Sequence, residues 1–117
     1  MNKDWKSIWN IKKVAQVNNL SEFDAFKELK RADGFDVAIE NEIDYYQSFY
    51  DGWLNFYKDV NALSGGICSV YEIGCGSGVN LYLFANRGIR KLGGVDYSET
   101  LANNARMITG SDDITIK

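Results

Sequence analysis

The sequence predicts an α/β fold, with a parallel, doubly wound sheet over residues 67–117 preceded by a helical lead-in over residues 1–66. Three observations lead there. In the second half, short apolar runs alternate with helical-period segments in the order strand–helix–strand–helix–strand, the pattern of parallel strands joined by right-handed crossovers. At the first strand–helix junction the chain reads YEIGCGSGVN (71–80), with glycines at 74, 76 and 78. Missing side chains there permit a tight turn and a close approach of main chain to a ligand. The second strand ends in an acid, Asp96, and open α/β sheets bind ligands beyond the carboxyl ends of their strands.

Each element has its own grounds. Residues 4–15 place Trp5, Ile8, Trp9 and Ile11 at helical spacing behind Asp4, a plausible N-cap. Ser21 opens a second helix with Asp24 in the capping-box position, Phe23, Phe26 and Leu29 as its apolar stripe and Gly34 as its stop. Residues 35–41 read as a connection. A longer helix runs over 41–63, with Ile43, Tyr46, Tyr50, Trp53, Tyr57 and Val60 on one face, and Ser-Gly-Gly at 64–66 ends it. ICSVYEI (67–73) reads as a buried-strand run, apolar as a strand covered on both faces within a larger sheet must be, with apolar side chains left exposed in this chain alone. A helix over 78–88 closes at Gly88, and 90–96 is a strand weakened by Gly93 and Gly94. Ser98 caps a helix over 98–108, and 113–117 begins a third strand.

Composition bounds the function. The chain has 117 residues, 45% hydrophobic and 25% charged, with a net charge of −3. That is enough for one small domain with a real core. The acidic balance argues against nucleic acid as a partner. There is no histidine, which removes the commonest general base and metal ligand. Cys68 and Cys75 have no further cysteines beside them, so neither a metal site nor a disulfide framework is expected. No stretch reads as a signal peptide or a membrane span, and the expected setting is soluble and cytoplasmic.

Spacing narrows the ligand. A dinucleotide fingerprint needs G-x-G-x-x-G, whereas the sixth position here is Val79 and an acid, Glu72, precedes the first glycine by two. No Gly-Lys-Ser/Thr follows, so the P-loop pattern fails. VYEIGCGSGVN (70–80) resembles motif I of the class I S-adenosylmethionine-dependent methyltransferases, and GGVDYSETLANNAR (93–106) resembles their second strand and following helix. DWKSIW and RADGFD resemble, more loosely, the helical lead-in of small bacterial members.

The resemblance implies a Rossmann-like three-layer α/β/α fold with seven strands, of which this chain would carry the first three. It also implies S-adenosylmethionine as cofactor and a small-molecule acceptor. Gly74, Cys75, Gly76 and Gly78 would form the loop on which the methionine portion lies. Cys75 would be a small packing residue whose N–H faces the ligand. Glu72 would orient that loop or take the ammonium, and Asp96 would accept the ribose hydroxyls. Tyr97 would stack on the adenine or be an ordinary half-exposed tyrosine. The aromatic residues of the first half are core or a lid over the cofactor. Catalytic residues would follow Lys117, and the chain alone is expected to be inactive. A first strand left open at one edge implies self-association as a homodimer. Two other classes stay open, a dinucleotide-dependent oxidoreductase and a non-catalytic nucleoside-binding or interaction module.

Overall fold

A computed structural model describes residues 19–34 and 42–116. The helix expected over 4–15, the connection over 35–41 and Lys117 lie outside the described residues. Helix α1 spans Glu22–Ala32, and the Ser21 hydroxyl accepts the Asp24 N–H at 3.2 Å. Ala25, Phe26 and Leu29 form its buried stripe, and the chain turns away through Asp33 and Gly34, the latter at φ +94°. Helix α2 spans Glu42–Leu63 and runs antiparallel to α1, with Tyr50 beside Glu22 and Tyr46 beside Arg31. Ile43, expected on the buried face, is 66% exposed. It lies one turn beyond Tyr46, which already faces the last turn of α1, so nothing of that helix is left to cover it.

Strands β1 (Ser69–Ile73), β2 (Lys91–Asp96) and β3 (Asp113–Ile116) form a parallel sheet in the order β1-β2-β3. Helix α3 (Val79–Asn86) joins the first two, and α4 (Glu99–Thr109), capped by Ser98, joins the second pair. The register pairs Glu72 with Gly94 and Asp96 with Ile116. Successive right-handed crossovers to successive neighbours put α3 and α4 on the same face. Val70, Glu72, Leu92, Gly94, Asp96 and Ile114 point to that side by the period-2 rule, and α1 and α2 form a further layer on α3. The core joins Phe26 and Leu29 to Trp53, Leu81, Leu83, Phe84, Leu92 and Ile114. This is the Rossmann-like α/β arrangement expected from the strand–helix alternation.

The opposite face, carrying Ser69, Tyr71, Ile73, Val95 and Thr115, is covered by no helix among the described residues. The 67–73 run, expected to be covered on both faces only within a larger sheet and to leave apolar side chains exposed in this chain, has Tyr71 63% exposed and Ile73 84%. The strand begins only at Ser69. Among the described residues it pairs with β2 alone, and no described helix lies on its Tyr71 and Ile73 face, so its apolar composition does not translate into burial.

A charged cluster ties the helices together. Arg87 donates from both terminal nitrogens to Glu22 at 2.8 and 2.9 Å and lies over the Trp53 and Tyr57 rings, which stack on each other. The Tyr50 hydroxyl and Asn86 amide complete the shell of the same carboxylate. Tyr46, Trp53 and Tyr57 therefore belong to helix packing; Trp5 and Trp9 lie outside the described residues.

Candidate cofactor site

The carboxyl ends of β1 and β2 and the start of α3 enclose a cavity of about 320 Å³. Glu72, Gly74, Cys75, Gly76, Asp96 and Tyr97 all line it, together with Lys30 and Asp33 of the lead-in. Gly78 does not line it. A Cβ there would lie 2.7 Å from the Ala105 Cβ, so this glycine permits the close crossing of α3 and α4. Gly76, at φ +55°, has the Asp33 carboxylate against it, 2.5 Å from an added Cβ. Gly74, at φ +73° with open space around it, serves the turn itself.

The loop amides are largely spoken for. Gly74 and Cys75 both donate to the Val95 carbonyl, at 2.7 and 3.0 Å. The Cys75 N–H thus points into the protein, contrary to the ligand-facing orientation expected for it. Gly76 donates to Asp96 Oδ1 at 3.1 Å, and Ser77 donates to Asp33 Oδ1 at 2.7 Å. A loop expected to offer bare N–H groups instead satisfies them with two carboxylates, because a buried donor left without a partner is costly.

The acids differ in their surroundings. Asp96 is 8% exposed, and its second oxygen accepts the Ser98 N–H at 2.9 Å, so one side chain fixes both the loop and the start of α4. Glu72 accepts the Asn80 amide at 2.7 Å on Oε2, while Oε1 is buried with no hydrogen-bond partner among the described residues. Burial raises the Glu72 pKa, and the nearby Asp33 and Asp96 charges add to that. Burial also raises that of Asp33, against the hydrogen bonds from Ser77. The Cys75 thiol is pushed up to about 11 by burial and by the same carboxylates. It stays protonated at neutral pH and is no nucleophile. Tyr97 stands 86% exposed at the cavity mouth.

Asp33 and Ser77 are the site residues that sequence reasoning missed. Ser77 is fully buried, its hydroxyl 2.9 Å from Asp33 Oδ2 and 3.1 Å from the Leu29 carbonyl. One signal was available: an acid as the C-cap of a helix opposes the helix dipole, so Asp33 needs a partner from elsewhere in the chain.

Glu72 and Asn80 also line a second, larger groove of about 670 Å³, walled by apolar side chains of α2 and β1 such as Trp53, Phe56 and Val70. Among the described residues no group of acids and cysteines is arranged to hold a metal ion. No helix among them is long and apolar enough to cross a membrane.

No protein-family model matches this chain, and no curated protein matches it. Among solved structures, the crystal structure of Streptomyces venezuelae DesVI is similar, at 21% sequence identity and a TM-score of 0.43. The similarity covers 71% of this chain and 37% of that one.

Proposed function

We propose that this chain is the cofactor-binding portion of an S-adenosylmethionine-dependent methyltransferase acting on a small-molecule acceptor. The observation that carries the reading is Glu72, whose Oε1 is buried without a partner at the carboxyl end of β1, on the wall of the cavity. A buried carboxylate oxygen left without a hydrogen bond is unfavourable, and a ligand bringing a cationic donor would relieve it. The α-ammonium of S-adenosylmethionine is such a cation.

The other residues fit the rest of that molecule. Each Asp96 oxygen accepts one main-chain N–H, which leaves acceptor capacity for two ribose hydroxyls. Lys30 lines the cavity and suits the carboxylate of the methionine tail. Tyr97 offers a ring face for adenine at the mouth. When bound, the cofactor supplies a methyl group on a sulfonium, transferred by in-line displacement. The contribution of this chain is to bind and orient it. The negative charge of Asp33, Glu72 and Asp96 favours a cationic ligand throughout.

Calorimetric titration with S-adenosylhomocysteine and with NAD tests the reading. S-adenosylhomocysteine is expected to bind and NAD is not, and Asp96→Ala is expected to lose about 1.5–3 kcal/mol, the range for hydrogen bonds to a charged group. Tighter binding of NAD would overturn it in favour of a dinucleotide enzyme.

A further inference from the structure

We infer that Asp33 is a specificity-determining residue, which occupies the anion seat of the glycine loop and so excludes phosphate-bearing nucleotides from the cavity. The inference deepens the proposed function and rests on that reading for the identity of the preferred ligand. Its own physical argument is independent of it.

Glycine loops between a parallel strand and a helix ordinarily attract phosphate, because their N–H groups point outward together with the positive end of the helix dipole. In this chain the Ser77 N–H is taken by Asp33 Oδ1 at 2.7 Å and the Gly76 N–H by Asp96 Oδ1 at 3.1 Å. The two carboxylates have different origins. Asp96 belongs to the sheet, at the position from which a ribose is held. Asp33 comes from the end of α1, 44 residues before the serine it binds, and it lies against Gly76 so closely that a Cβ there would meet it. It is anchored a second time by the Ser77 hydroxyl at 2.9 Å. A diphosphate approaching Gly76 and Ser77 would meet an oxygen anion already bonded to the amide it requires. Two further acids, Glu72 and Asp96, line the same cavity. The lead-in helix thus supplies the loop with an internal anion at the Gly76 and Ser77 amides, while Lys30, on the same cavity wall, remains the place for a carboxylate.

The experiment compares ADP with S-adenosylhomocysteine, two adenosine derivatives that differ in the charge carried at the ribose 5′ position. Calorimetry on the wild-type chain, Asp33→Asn and Asp33→Ala gives the ratio of affinities. Asn keeps the shape: its oxygen can accept the Ser77 N–H, and its amide can donate to the Ser77 hydroxyl, which remains free to donate to Leu29. ADP binding is expected to strengthen in the order Asp, Asn, Ala, by about tenfold or more for Ala, as removal of a like charge from a binding site predicts. S-adenosylhomocysteine is expected to be unchanged or weakened. Equal changes for both ligands, or no gain for ADP in either variant, would reduce Asp33 to a structural cap and overturn the inference. If the wild type itself prefers ADP, the proposed function fails as well; if it binds neither ligand, the ADP arm of the variants still decides the role of Asp33. A measurement on the unmodified chain needs no variant: in 15N-resolved NMR, ADP should leave the Gly76 and Ser77 amide resonances in place, and a saturable shift of both would refute the claim.

Discussion

An added methyl group on Gly76 would sit 2.5 Å from Asp33 Oδ1, on a backbone held at φ +55°. Gly76→Ala is therefore expected to destabilise the fold by about 1–3 kcal/mol, the cost of a strained backbone angle with a contact added to it. The contact part should disappear in a Gly76→Ala, Asp33→Ala double variant, so chemical denaturation of the four species should give a non-additive cycle. Strict additivity would mean that backbone strain alone sets the requirement for glycine. Glu72 makes the opposite prediction. Burial raises its pKa, so the folded chain binds its proton more tightly than the unfolded chain does. Stability then falls as pH rises from the ordinary carboxylate value through the raised one. Glu72→Gln is expected to melt higher than the wild type at pH 8, to lose that advantage in acid, and to bind S-adenosylhomocysteine more weakly. A lower melting temperature at pH 8 would show that the carboxylate is compensated in the protein after all. The glycines and the acid were legible in the sequence at this scale, but their reasons were not. Gly76 answers to a residue 43 positions earlier, and Gly78 to Ala105 on another helix.

Among the elements, the contact of α1 with α2 and α3 turns on Glu22 and Arg87. The Arg87 guanidinium holds the Glu22 carboxyl down at about 2, against an ordinary value of 4.5. The sign follows from linkage: this contribution is complete above about pH 4.5 and is lost as pH falls toward 2. Glu22→Gln is expected to lower stability at neutral pH and to flatten the acid limb of the melting-temperature profile between those values. An unchanged limb would assign acid sensitivity to other carboxylates. Arg87→Lys is expected to cost about 1–2 kcal/mol, because an ammonium provides neither the two-pronged hydrogen bond to Glu22 nor the guanidinium's contact over the Trp53 ring. Urea denaturation monitored by tryptophan fluorescence would measure it. Helix starts and stops were readable from sequence because caps are local: Ser21 and Ser98 accept N–H groups three residues on, and Gly34 and Gly88 take left-handed angles just past helix ends. The Glu22–Arg87 pair spans 65 residues and leaves no trace in any local pattern.

For the molecule as a whole, the side of the sheet that no described helix covers is expected to set the solution behaviour. Tyr71 and Ile73 are exposed on β1, whose outer edge pairs with no strand among the described residues. Beside it runs the apolar groove of about 670 Å³ between α2 and the strand. An edge of that kind favours pairing with another chain, and two-fold closure is the commonest form such pairing takes. The 117-residue chain is expected to form a concentration-dependent homodimer, and Ile73→Lys to shift it toward monomer. Light scattering at micromolar concentration checks both; a monodisperse wild-type monomer would refute the expectation. The apolar run at 67–73 was legible as a strand because its composition is a local property. Its exposure followed from no local property: it was expected only from a resemblance that places further strands outside this chain, because burial depends on what stands beside the strand in space.

The strand order β1-β2-β3 also bears on how the chain assembles as it leaves the ribosome. Strands β2 and β3 each pair with the one made immediately before, and partners such as Ser69 and Lys91 are 22 residues apart. At roughly 5–20 residues per second, synthesis separates them by about 1–4 s, far longer than the microsecond to millisecond scale on which small local units form. Each crossover can dock on its predecessor before the next has been translated. Among the described residues, structure can therefore accumulate vectorially, from the lead-in helices toward the third strand.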